Sequence, residues 1–358
     1  MARSPRTARI TAAVSSALLL LTAATACGSD SGSSGGSAGA AEKNTGAEGG
    51  GSGTFPVTLD HKYGSTTVES EPKRIVTIGF TDQDALLAVG KVPVASMDWL
   101  GAHKGTIGPW AKDELGSGKL PVTLKNTGTG PQVEKIAALK PDLILAVYGG
   151  LTKDQYTSLS KFAPVVAQPK QYNDWGVPWQ EQTKIVGTAV GRPAEAAEAV
   201  AATEKKIASL VKPEFKGKTA VIGTPFEGIF IWGSQDTRSR LLTGLGLQLP
   251  TGLDKVIGDQ FGANISKERT DLLDQDAMVW MVKDIAKDSA KLRKDPSYGD
   301  LKLVREGREI YVQESSDYGY AMSFGTVLSL PYVVERLAPQ LTAALDGKPE
   351  TPVQQPAS

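Results

Sequence analysis

Two histidines and one cysteine in 358 residues leave little material for metal or nucleophilic chemistry. Bare zinc or manganese sites want several histidines beside carboxylates or thiolates. His61 and His103 have no ligand-spaced partner. His61 reads as a surface residue ahead of the first lobe, and His103 as a loop residue. No Gly-x-Ser-x-Gly nucleophile elbow occurs beyond the Gly/Ser-rich stretch that ends near residue 54, nor a phosphate-binding glycine loop followed by Lys-Ser/Thr. Gly128-Thr-Gly130 before Pro131 reads as a turn. A secreted, lipid-anchored hydrolase is therefore a remote alternative, and an adhesion or structural lipoprotein another. The ends of apolar, strand-like runs carry aromatic and guanidinium side chains instead. Phe80 and Trp99 follow the first two such runs, and Tyr148 ends a later one. Trp175 and Trp179 stand in a Pro/Gly-rich stretch. Phe226 and Trp232 flank an apolar run, with Arg238 and Arg240 just beyond. Tyr318 and Tyr320 flank Gly319 in an expected loop. Stacking, cation–π contact and hydrogen bonding are what these groups do, which is binding rather than bond breaking. Arg238 and Arg240 would share a face on extended chain and diverge on a helix, so one of them is expected near a cleft. Trp280 lies inside an apolar run and reads as core.

These positions matter only if strand ends deliver them, and strands and helices do alternate. Pro72–Gly79 reads as a buried strand. Phe80–Gly90 reads as a short helix that Thr81 or Asp82 could cap. Val92–Ser96 and Val165–Ala167 read as strands, and Thr152–Phe162 as a helix. One segment is written twice, 134 residues apart: Glu134-Lys-Ile-Ala-Ala-Leu-Lys-Pro-Asp142-Leu-Ile-Leu and Glu268-Arg-Thr-Asp-Leu-Leu-Asp-Gln-Asp276-Ala-Met-Val. Each copy opens with an acid and a base on a short amphipathic helix. Each reaches a leucine, Leu139 or Leu273, then an Asp three residues on, then an apolar strand. Such a period is too long for a solenoid and implies two similar lobes with a cleft between them.

Between the copies, Pro193–Val211 is rich in Ala, Glu and Lys. Ala197, Val200, Ala201, Glu204, Ile207, Ala208 and Val211 recur at helical spacing. One helix of about 18 residues is expected there, joining the lobes. Lys216–Gly223 restarts the first-lobe pattern, Leu241–Leu247 ends a helix at glycine, Leu303–Val312 holds a turn and a strand, and Ser329–Leu345 closes the fold as a helix. The fold class is α/β with parallel strands: two Rossmann-like lobes bridged by a single long helix.

The first 26 residues carry Arg3, Arg6 and Arg9, then an apolar run around Leu18–Leu21, and end at Ala24-Thr-Ala-Cys27. This is a targeting segment. A small residue before Cys27 resembles the lipobox of bacterial lipoproteins, in which that cysteine carries the lipid, so palmitate-type acylation of Cys27 is expected. Residues 27–54 form a Gly/Ser-rich tether, residues 55–191 the N-terminal lobe, 192–212 the connecting helix, 213–346 the C-terminal lobe, and 347–358 a polar tail. Removing the first 26 residues leaves 36 basic against 39 acidic side chains, a net charge of −3. There is no basic field for nucleic acid. No second apolar run reaches the roughly 20 residues of a membrane span.

Pro72-Lys-Arg-Ile-Val, Ala138-Leu-Lys-Pro-Asp-Leu-Ile-Leu, Gly149-Gly-Leu-Thr, Ser158–Pro164, Gly217-Lys-Thr and Phe324-Gly-Thr-Val-Leu-Ser-Leu-Pro331 together resemble the substrate-binding lipoproteins of bacterial iron–siderophore ABC importers. The resemblance covers about residues 56–346 and implies a shallow cleft with small closure motions. It implies a monomeric receptor on the outer face of the cytoplasmic membrane, partnered by an ABC permease dimer and its ATPase. It also implies that Glu134 and Glu268, one per lobe, dock on permease arginines; bidentate Arg–carboxylate pairs give orientation as well as energy. No cofactor is expected, since iron would arrive already wrapped in its chelator. With many aromatics and few cations, a ferric hydroxamate is the favoured ligand. A ferric catecholate, heme and cobalamin are the alternatives.

Overall fold

The computed structural model describes residues 53–354. The targeting segment, Cys27 and nearly all of the tether lie outside the described residues, as do the last four of the tail.

A hairpin of β1 (Val57–His61) and β2 (Gly64–Val68) opens the body. His61 is not a surface residue. It is buried in β1, its Nε2 2.9 Å from Thr66 Oγ1, and its ring meets Tyr156 at 5.1 Å. Burial pushes its pKa down.

The first lobe is a five-stranded sheet of β3 (Ile75–Thr77), β4 (Ala95–Met97), β5 (Val122–Leu124), β6 (Leu143–Ala146) and β7 (Val165–Ala167), ordered β5-β4-β3-β6-β7 and parallel throughout. Its central strands are wholly buried, as short apolar runs covered on both faces must be. The second lobe comprises β8 (Ala220–Thr224), β9 (Ile229–Trp232), β10 (Gly262–Ile265), β11 (Ala277–Val282) and β12 (Glu309–Gln313), ordered β10-β9-β8-β11-β12. Here the expected parallel strands form only part of the sheet. β8, β11 and β12 are parallel, but β9 turns back on β8 and pairs antiparallel, as does β10 with β9. Glu227 and Gly228, both at positive φ, make that reversal.

The repeated Asp has the same task in both lobes. Asp142 accepts hydrogen bonds from the backbone N–H of Lys73 and Arg74, each at 2.8 Å, just before β3. Asp276 accepts from the Thr219 N–H at 2.9 Å, just before β8. Each carboxylate thus staples the entry of one strand to its parallel neighbour. Ile75 then faces Leu143, and Ala220 faces Ala277, at the start of each pairing. The helix before the staple differs between copies. Val133–Ala138 is α-helical, whereas Lys267–Leu272 is a kinked 3-10 turn.

The connecting helix spans Pro193–Ser209, 17 residues, with Pro193 in its first turn. Its buried face is Ala196, Val200, Thr203 and Ile207. Of the expected stripe, Val200 and Ile207 are on this face, whereas Ala197, Ala201, Glu204, Ala208 and Val211 are exposed. Alanines on both sides left that face undetermined; the branched Val200 and Ile207 and the Thr203 hydroxyl, which donates to the Val327 carbonyl at 2.8 Å, decide it. Ala196 belongs to the core of the first lobe, while Val200 and Ile207 belong to that of the second.

Candidate functional site

The carboxyl ends of β3, β4 and β6 meet in the first lobe, where α/β sheets place their ligands. Beyond β3, the N–H groups of Ile78 and Gly79 both donate to Leu145 O, and that of Phe80 donates to Tyr148 O. Thr81 stands at the start of the helix Asp82–Ala88 but makes no side-chain cap. Asp82 does not cap either. Its fully buried carboxylate accepts from Val147 N (2.8 Å), Tyr148 N (3.1 Å) and Gln182 Nε2 (2.7 Å). This single group ties the end of β6 to the end of β3. Residue 79 must be glycine, because a Cβ there would fall on that carboxylate.

The tied ends present three aromatic rings. Phe80 stacks on Trp175 at 5.0 Å and 6°, and on Trp99 at 5.8 Å and 15°; Trp99 and Trp175 lie 6.2 Å apart at 20°. Beside them opens a cavity of about 430 Å³. Its walls are Phe80, Trp99 and Trp175, the apolar Ile78, Met97 and Leu151, and the turns around Gly128, Gly130 and Gly149-Gly150, with Asn126 and Gln155. No charged side chain lines it, and every lining residue comes from the first lobe. The Gly128–Pro131 turn and the Gly149-Gly150 step are walls that the sequence reading did not assign. Small residues directly after strands were the available signal.

Of the eleven expected ligand contacts, Phe80, Trp99 and Trp175 line this cavity. Tyr148 stands behind it, buried, with its ring edge-on to Trp175 at 6.1 Å and 77°. Burial pushes its phenol pKa up, and nearby Asp236 adds to the effect. The other seven are elsewhere. Arg238 and Arg240 stand on the helix Thr237–Gly244 and diverge. Arg238 forms a buried pair with Asp236, at 2.8 and 2.7 Å, and lies 4.0 Å over the Trp232 ring. Its charge is spent on that pair, and Trp232 is core. Arg240 reaches across to the first lobe and donates to Gly176 O at 2.8 Å. Tyr318 is not in a loop: it is buried in the helix Asp317–Phe324, its hydroxyl donating to Gln340 Oε1 at 2.9 Å. Tyr320, on the same helix, meets the His103 ring edge-on at 5.4 Å. Trp179 is buried in the second-lobe core cluster. Phe226 is 53% exposed in the β8–β9 turn. Trp280 is core, as expected, its Nε1 donating to Tyr298 Oη at 2.6 Å.

Glu134 and Glu268 are exposed in the first turns of their helices, and neither carboxylate has an ion-pair or hydrogen-bond partner among the described residues. His103 lies between Trp110 and Tyr320, with Asp317 at 3.8 Å. No cluster of metal-binding side chains occurs among the described residues.

A two-lobed α/β body joined by one shared helix, with an aromatic cavity at strand ends, is the architecture of a solute receptor. The chain belongs to the periplasmic binding protein family, whose profile matches residues 85–315. It is 30% identical over 206 residues to the Fe(3+) dicitrate-binding periplasmic protein FecB of Escherichia coli, covering 56% of this chain and 65% of that one. It is 27% identical over 273 residues to the putative ABC transporter substrate-binding lipoprotein YhfQ of Bacillus subtilis, covering 72% and 81%. The Streptococcus pneumoniae PiaA structure in complex with ferrichrome superposes with a TM-score of 0.71 at 29% identity, covering 81% of this chain and 99% of that one.

Proposed function

We propose that the protein is an extracytoplasmic receptor that takes up a ferric siderophore in the first-lobe cavity and hands it to an ABC permease. The carrying observation is the lining: three aromatic faces and not one charged side chain around about 430 Å³. A ferric trihydroxamate is neutral or mildly cationic and presents an apolar shell, which suits such walls. A tris-catecholate or a citrate complex is anionic, and desolvating it against neutral walls carries a penalty that no cation offsets. The two second-lobe arginines do not help, because Arg238 is paired with Asp236 and Arg240 is bonded to Gly176. The similarity to a ferrichrome-bound structure supports the hydroxamate choice.

In this reading iron is cargo carried inside its chelator, and the protein is not an enzyme. It acts as a monomer anchored by lipid at Cys27 to the outer face of the cytoplasmic membrane. Glu134 and Glu268 dock on permease arginines, and their exposure without partners supports that role. Parallel titrations of tryptophan emission with ferrioxamine, a ferric tris-catecholate, heme and cobalamin test the reading, with iron-free chelators as controls. Saturable sub-micromolar quenching by the hydroxamate alone is expected. Tighter binding of the catecholate overturns the ligand class, and four flat curves leave the fold standing and send the search to another ligand, or to none.

A further inference from the structure

Trp175 is held in an uncommon way. Its φ is +68°, a left-handed conformation that a bulky residue keeps only when its surroundings impose it. The imposing contacts come from both lobes. Two residues before it, Asn173 Nδ2 donates to the backbone oxygen of Asp259 in the second lobe, at 2.7 Å. One residue after it, Gly176 O accepts from Arg240 Nη1 of the second lobe, at 2.8 Å. Between them, Asp174 pairs with Lys62 of the first lobe at 2.6 Å. Gly176 is pressed close enough to Gln235 that a Cβ would meet its side-chain oxygen at 3.0 Å. A first-lobe loop is thus gripped by the second lobe on either side of the one residue whose ring completes the stack with Phe80 and Trp99.

We propose that Arg240 and Asn173 are positioning residues for the ligand: together they clasp this loop to the second lobe and set Trp175 in the cavity wall. The cavity then senses the second lobe without being lined by it. When the lobes separate, the clasp pulls on Trp175 and the aromatic wall opens. When they sit as described here, the wall is complete. This inference rests on the reading of the cavity as the ligand site, but the position of Trp175 can be followed with no ligand present.

The test uses the full chain and its ultraviolet circular dichroism, where the stacked indoles of Trp99 and Trp175 couple. Trp175→Phe gives the signal attributable to that pair. Arg240→Gln is expected to lose most of the same signal in ligand-free protein. Ferrioxamine affinity is expected to fall roughly tenfold, the loss of one charge-assisted hydrogen bond. Asn173→Ala should act in the same direction, and Arg240→Lys should recover part of both effects. Unchanged indole coupling in Arg240→Gln and in Asn173→Ala overturns the clasp. So does lost affinity with the coupling intact, because that would be a structural or direct effect. Lost coupling in a protein whose parent binds none of the four ligands supports the clasp while removing the ligand reading.

Discussion

Asp84 offers a test with a calculable size. It lies on the first-lobe helix Asp82–Ala88, fully buried, and its Oδ2 accepts from Trp110 Nε1 at 2.8 Å and from Thr326 Oγ1 of the second lobe at 2.6 Å. Its other oxygen has no partner. Burial pushes its pKa up to about 6 from 3.8. The folded protein therefore holds this proton more tightly than the unfolded chain does. The resulting stability is fully present below 3.8 and is lost as pH rises through about 6. Roughly two pKa units at about 1.4 kcal/mol each amount to ~3 kcal/mol. For a body of this size that is a shift of about 5 °C in melting midpoint. Asp84→Asn keeps an acceptor for Thr326 and Trp110 but cannot titrate. The measurement is the melting midpoint of both proteins at intervals from about pH 4 to about pH 7. The parent should lose about 5 °C relative to the variant across that range. A constant offset between the two curves would refute the assignment of a buried, proton-linked carboxyl at the lobe contact.

Other outcomes follow from the same geometry. Phe80→Ala removes the ring that touches both indoles and should weaken ligand binding by roughly tenfold, read by emission quenching, with little change in melting. Asp142→Ala leaves two backbone N–H groups without their acceptor and should cost about 1–3 kcal/mol in denaturant unfolding. Asp276→Ala should cost a similar amount, and the two losses should add, since the staples are in different lobes. Charge reversal of Glu134 and Glu268 together should abolish uptake in cells while leaving ligand affinity intact; weakened affinity would place these residues at the cavity instead.

The parts of the fold readable in sequence were those governed by local pattern. Asp142 and Asp276 stood out because each must follow a helix and precede a strand at one fixed distance, and the staples explain the spacing. Phe80 and Trp99 could be placed because an apolar run that ends at a known residue puts the next ones at the sheet's carboxyl edge. Trp179, Trp232 and Tyr318 could not be separated from them. An aromatic ring in a core and one in a cleft look alike along the chain, and only the helices Trp179–Ala189, Thr237–Gly244 and Asp317–Phe324 turn these inward or cover them. The role of the arginines was hidden for a related reason. Asp236, two residues before Arg238, could be seen as a neighbour but not as a buried partner. The β8–β9 reversal depended on Glu227 taking positive φ beside Gly228, for which sequence carries only a weak turn signal.

The connecting helix has a consequence for anyone wishing to recombine such proteins. Its Ala196 completes one core, while its Val200 and Ile207 complete the other, and its Thr203 bonds to the chain leading into the final helix. No cut at either end of it yields a self-sufficient half. A chimera that takes one lobe from a relative inherits a seam along this helix, and must match two sets of side chains on one rod. The lobes should therefore have drifted apart in sequence more freely at their rims than along this shared face, and should melt as one cooperative unit.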